Sequence, residues 1–161
     1  MMEKEYSFTY QIFKNIDELN DEDKALLQRA RANTSNAYVP YSSFQVSAIA
    51  LMENGEIVNG TNQENASYPV GICAERVLLS TISSVQPNIA VKTIAISYHN
   101  LNGESSRPVA PCGMCRQALL EQENRFQQPI KIILSGMDGE VIIVQNARQL
   151  LPFNFSAEDM L

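Results

Sequence analysis

Three cysteines are the only thiols in this 161-residue chain, and their placement is where chemistry can be read first. Cys112 and Cys115 form a C-x-x-C pair in "APCGMCRQALL". Cys73 stands apart in "PVGICAERVLL", just before Glu75 and Arg76. A C-x-x-C turn can aim two sulfurs at one zinc ion. Taken alone, the pair fits a buried thiol pair or a thioredoxin-like redox motif as well as a metal site. Cys73 moves the balance towards metal. It and the pair both fall at predicted helix starts, where free N–H groups and the positive end of the helix dipole stabilise thiolates. Three thiolates leave the fourth tetrahedral position of zinc open for water, which is the arrangement of a catalytic site.

Glu75 then has a task. A water on such an ion has its pKa lowered towards ~7, so a nearby carboxylate can take its proton and pass it on. Three thiolates also leave the site with net negative charge. A guanidinium from Arg76, hydrogen-bonded to the sulfurs, would draw some of that charge off. In isolation Arg76 reads as a surface salt-bridge residue. The only histidine, His99, could close an inert Cys₃His site. Its segment, "SYHNLNG", reads as a polar loop, so His99 is expected to be solvated.

The elements that must position these residues follow from periodicity. "EYSFTYQIF" alternates, with Tyr6, Phe8, Tyr10 and Ile12 on one side, and predicts a strand, suited to a sheet edge. "DELNDEDKALLQRARAN" places acids early and arginines late, as a helix dipole favours. "FQVSAIALMENGEIVNGTNQ" predicts two strands joined at Asn54-Gly55. A helix is expected over 72–84 and a buried strand over "VKTIAISY". A polar loop over 99–110 should follow, then a helix through "CGMCRQALLEQ" with Pro111 at its start. "IKIILSG" and "VIIV" predict strands around the turn "MDGE", and "NARQLLP" a short helix. Strands and helices alternate after the hairpin, so the fold class is α/β, with one sheet covered by helices.

Composition excludes several functions. A net charge of −6 argues against nucleic-acid or anionic-membrane surfaces, which need clustered Lys and Arg. No apolar run is long enough to span a bilayer, and "MMEKEYSFTY" lacks a signal-peptide pattern, so a cytoplasmic location is expected. No basic cluster or Gly-rich loop offers a phosphate site.

"CAER" followed by "PCGMCRQ" resembles the zinc signature of the cytidine deaminase family, in its small homotetrameric class with three cysteine ligands. "VPYSSFQVSAIAL", "GTNQENASYPVGICAER" and "LLPFNF" are similar to further family motifs, so the likeness runs over roughly residues 20–160. The resemblance implies a three-layer α/β/α fold on a central mixed five-stranded sheet. It implies a catalytic domain over 19–161, preceded by an extension over 1–18. The implied activity is hydrolytic deamination of cytidine and 2′-deoxycytidine to uridine and 2′-deoxyuridine plus ammonia, in pyrimidine salvage. Cys73, Cys112 and Cys115 would bind one Zn²⁺ per subunit, Glu75 would shuttle protons, and Arg76 would support the sulfurs.

Asn62 and Glu64 match ribose contacts, Phe44 an aromatic beside the pyrimidine, and the Ala74 backbone a contact to the base. Phe155 matches an aromatic that reaches a neighbouring subunit's site, with Phe153 as its rival. Without the resemblance, Asn62 and Glu64 read as a solvated strand end and Phe44 and Phe155 as core. Ser47 and Gln63 depart from the family's usual Gly and its usual Val or Ile. The partners expected are a small nucleoside and further copies of the chain, with neither nucleic acid nor membrane. The rival functions are a same-fold deaminase of another aminopyrimidine nucleoside, such as a blasticidin-type antibiotic, and a non-catalytic zinc-stabilised binding module.

Overall fold

The computed structural model describes residues 1–161. In chain order its elements are β1 (Gln11–Phe13), α1 (Asp21–Asn33), β2 (Phe44–Met52), β3 (Ile57–Thr61), α2 (Ala74–Val85), β4 (Val91–Asn100), α3 (Gly113–Phe126), β5 (Lys131–Ser135) and β6 (Val141–Val144). One mixed sheet holds all six strands in the order β1-β6-β5-β4-β2-β3. Only β4 and β5 run parallel, and α3 makes the crossover between them. Parallel neighbours require such a crossover, whereas β2 and β3 need only the tight turn at Asn54-Gly55, where Gly55 takes φ 84°.

Strand alternation assigns each helix its face. Ala48, Ala50, Ile94, Ile96, Ile132 and Leu134 pack with Leu78, Leu79 and Ile82 of α2 and Leu119 of α3. Ile49, Ala95, Ile133 and Ile143 point the other way, onto Leu26, Leu27 and Ala30 of α1. The result is the expected three-layer α/β/α arrangement. α2 lies so close to β3 that a Cβ on Gly60 would stand 2.4 Å from the Leu78 backbone nitrogen. α1 begins at Asp21 because the Asn20 side chain accepts from the Asp23 N–H, while Asp17 falls in a short 3₁₀ turn before it.

The sheet has six strands where five were expected. Gln11, Ile12 and Phe13 pair with Ile143, Ile142 and Val141 and so occupy the edge of β6. The alternating stretch before them gains no partner, because β6 ends at Val144 and the chain turns away into a 3₁₀ helix at Ala147–Leu150. His99 likewise lies in β4 rather than in a loop. β2 begins at Phe44 and carries the ladder to Asn100, which pairs Gln45 with His99. No helix is long and apolar enough to cross a membrane.

Glu123 of α3 ties the end of this framework together. Its Oε1 accepts from the N–H groups of Ile130 and Ala147, each at 2.7 Å, and its Oε2 accepts from Arg148 N at 3.0 Å. This carboxyl group is buried and joins α3 to the segment leading into β5 and to the 3₁₀ turn after β6.

Candidate metal centre and substrate cavity

Cys73 is the N-cap of α2 and Cys112 the N-cap of α3. Neither side chain caps its own helix, so both sulfurs are free to face one another. Cys115, one turn into α3, is fully buried beneath them. Cys73 Sγ lies 3.9 Å from Cys112 Sγ, and Cys112 Sγ lies 3.5 Å from Cys115 Sγ. All three sulfurs fall within 4.8 Å of one another. A tetrahedral zinc with Zn–S bonds of ~2.3 Å needs sulfurs about 3.8 Å apart, so the triad fits that ion. Among the thiols, the neighbouring Cys115 does most to pull Cys73 down to about 6, against burial and the Glu75 charge. The proximity of Cys73, together with burial, pushes Cys115 up. Arg76 acts on Cys73 as a positive charge that favours its thiolate. His99 is not part of the cluster.

Glu75 sits in the first turn of α2, only 5% exposed, and burial raises its carboxyl above the usual range. It faces a cavity of about 170 Å³ that also touches Cys73 and Cys112. The cavity walls are largely apolar, with Phe44, Val46, Ile96 and Tyr98 on the sheet side and Val109 and Ala110 on the loop side. The Phe44 ring stacks on Tyr98 at 4.9 Å and 12°. Ala74 completes the wall at the helix start.

Asn62 and Glu64 lie just past β3. A bridge pairs Gln63 with Ile72, through reciprocal N–H to carbonyl bonds of 3.0 Å. That bridge sets the segment 62–64 directly beside Cys73. Asn62 Oδ1 accepts from Val46 N at 2.7 Å and its Nδ2 donates to Phe44 O at 2.9 Å, so Asn62 fixes the strand that carries the aromatic wall. Glu64 lines an adjoining cavity of about 380 Å³ with Tyr41, Ser42 and Tyr68. Its Oε2 accepts from the N–H groups of Tyr41 and Ser42 at 2.9 and 3.2 Å. Hydrogen bonding from the Ser42 side chain, followed by these two N–H groups, holds its carboxyl below the usual range.

Phe155 does not line its own chain's cavity. It is 58% exposed on the tail, where its carbonyl accepts from Gln117 Nε2, and Phe153 is 99% exposed. Sequence reasoning missed Tyr98, Val109 and Ala110. Tyr98 was legible only as a strand residue; its place under Phe44 depends on the β2–β4 register. Arg116 was also missed. Its Nε donates to Pro111 O at 2.8 Å and its Nη1 to Leu150 O at 3.0 Å, which braces the approach to Cys112.

The comparisons agree with this geometry. The family model described as the cytidine and deoxycytidylate deaminase zinc-binding region matches residues 20–127. A cytidine deaminase of Halalkalibacterium halodurans is 37% identical over 135 residues, spanning 84% of this chain and 95% of the relative. One from Sporosarcina psychrophila is 34% identical over 141 residues, 87% of this chain and 95% of its own. The crystal structure of cytidine deaminase from Burkholderia pseudomallei superposes with a TM-score of 0.70 at 34% identity, covering 85% of this chain and all of that one. With the match reaching from before the first helix through both cysteine motifs, the chain belongs to the zinc-binding cytidine and deoxycytidylate deaminase family.

Proposed function

We propose that this protein is a zinc-dependent enzyme that hydrolyses cytidine and 2′-deoxycytidine to uridine and 2′-deoxyuridine, releasing ammonia. The observation that carries the reading is a buried carboxyl group, Glu75, facing the same small apolar cavity as Cys73 and Cys112 of the cysteine triad. Cys73, Cys112 and Cys115 are the residues that would hold zinc, and when bound it supplies the Lewis acidity that makes water a nucleophile near neutral pH. Glu75 takes one proton from the attacking water and delivers it to N3 as the oxygen bonds to C4. The second proton leaves with the amino group when the C4–N bond breaks, so water and cytidine are converted to uridine and ammonia. Phe44 and Tyr98 offer a flat wall to the pyrimidine and keep bulk water away, and the Ala74 backbone meets the base edge. Arg76 offsets the negative charge of the sulfurs.

Asn62 and Glu64 take the sugar in this reading. Neither cavity is lined by Lys or Arg, and Glu64 adds a negative charge. These features favour a nucleoside over a nucleoside phosphate. Deoxycytidine 5′-monophosphate is therefore expected to be turned over roughly tenfold or more less efficiently than 2′-deoxycytidine. Equal kcat/KM for the two would remove the nucleoside assignment.

The exposed Phe155 suits a residue that completes a neighbour's site, in keeping with the homotetramer the family resemblance implies, and a cytoplasmic role in pyrimidine salvage follows from that resemblance alone. Residues 19–161 form the catalytic domain in this reading and 1–18 an added extension. The decisive assay is the ultraviolet absorbance change of cytidine on incubation with zinc-loaded protein. Cytidine left unchanged by protein carrying one zinc per chain would overturn the reading. Cys73→Ala is expected to lower bound zinc, measured by elemental analysis, from about one per chain to roughly a tenth or less, since metal binding depends on the full ligand set. Retention of full zinc would remove Cys73 from the ligand set.

A further inference from the structure

The loop side of the cavity is formed by Val109 and Ala110, which have no secondary structure of their own. Something else must hold them. Four residues before Val109, Ser105 is anchored through both its carbonyl and its hydroxyl. Its carbonyl accepts from Met137 N at 2.7 Å, and its hydroxyl accepts from Asn100 N at 2.8 Å. The same carbonyl rests on Gly136 so tightly that a Cβ there would stand only 1.8 Å from it. Gly136 is itself fixed. Its carbonyl accepts from Arg31 Nε at 2.9 Å and from the buried Ser97 hydroxyl at 3.1 Å. The contact is thus a clasp between the 101–110 loop and the turn after β5.

The stretch from the clasp to the metal ligand is stiff. It reads Arg107-Pro108-Val109-Ala110-Pro111. Each proline locks its own φ and restricts the residue before it. Its far end is held separately, where Arg116 Nε takes the Pro111 carbonyl at 2.8 Å. A short stiff segment between two fixed points has its position dictated by both.

We propose that Gly136 is a positioning residue that, through Ser105, sets the distance of the Val109–Ala110 wall from Phe44 and so the fit of the base. The proposal rests on the deaminase reading for its kinetic consequence, although the clasp itself does not. A side chain at 136 pushes Ser105 off the turn and swings the wall at its near end. The Arg116 anchor leaves the far end, and with it Cys112, in place.

The test compares zinc-loaded wild type, Gly136→Ala and Ser105→Ala by cytidine kinetics, zinc content and crystal structure. Gly136→Ala is expected to raise KM about tenfold, with kcat changed less than about threefold and zinc retained, since small misplacements of a positioning wall carry costs of this order or more. The variant's crystal structure should place Val109 and Ala110 further from Phe44, with Cys112 unmoved. Ser105→Ala, which only removes the hydroxyl bond to Asn100, should move the same readouts in the same direction by roughly a third as much, and it decides the matter if Gly136→Ala does not fold. A merely structural role would lower melting temperature or active fraction and leave KM unmoved. Unchanged KM, or displacements confined to 101–106 and 136–139, overturns the proposal. If wild type itself leaves cytidine untouched, the deaminase reading falls, and the position of Val109 and Ala110 in the variant alone decides the clasp.

Discussion

Glu75→Gln is expected to keep zinc, fold and substrate affinity while losing roughly 10²–10⁴-fold in kcat, the usual contribution of a positioned proton carrier. The substitution is nearly isosteric, so the first turn of α2 and the packing around this 5% exposed side chain should be preserved. What changes is proton chemistry. A carboxylate can take a proton from water and give it to N3, whereas an amide oxygen neither binds that proton at neutral pH nor returns it. The loss should therefore fall on kcat, with KM within a few-fold of wild type, because the apolar walls and the Asn62–Glu64 pair are untouched. Steady-state kinetics with zinc analysis on the same sample separates the outcomes. Wild-type turnover by a zinc-replete variant would show that another group moves the proton.

The second large effect concerns stability. Glu123→Ala is expected to lower the free energy of unfolding by roughly 2–4 kcal/mol, because the Ile130 N–H loses its only acceptor, while the Ala147 and Arg148 N–H groups lose a charge-assisted bond but keep the Ile130 carbonyl and Asn146 Oδ1. The donors belong to Ile130, Ala147 and Arg148, so the damage should centre where α3, β5 and the final 3₁₀ turn meet. That is a large part of the ~5–15 kcal/mol available to an ordinary domain. Glu123→Gln should lose about half as much. Its carbonyl can still serve Ile130 and Ala147, but its amide group would face the Arg148 donor. Urea titration followed by circular dichroism measures both variants. A midpoint for Glu123→Ala corresponding to less than ~1 kcal/mol of loss would show that water or a shifted backbone replaces the carboxyl group.

The features that survive from sequence to structure are those with local causes. Asn54-Gly55 fixes its hairpin through backbone conformation, and each cysteine motif lies at the helix start its neighbours predict. Their meeting was legible because only one arrangement uses all three thiols and explains Glu75. Features governed by register were not legible. Periodicity shows that Phe44 and Tyr98 belong to strands, but their stacking depends on which residues of β2 and β4 are paired. His99 was misread for the same reason, since a polar composition suggests a loop until a partner strand extends past it. The alternation at Tyr6, Phe8 and Tyr10 is real, but pairing requires β6 to continue and it does not. Glu123 and the Ser105–Gly136 clasp left no local signal, because their partners are backbone groups distant in sequence.

The three residues of β1 have a consequence for how copies of this protein behave in a crowded solution. Without them, β6 would present a row of free N–H and C=O groups beside an apolar layer, a template on which another chain could add a strand. β1 uses up that edge and offers a very short one in its place. Lys14 follows it immediately, and Glu3, Lys4 and Glu5 stand upstream. Charges flanking a brief strand discourage further strand addition, so the sheet stops growing at β1. β1 thus closes the β6 edge and leaves strand addition only a three-residue edge to build on.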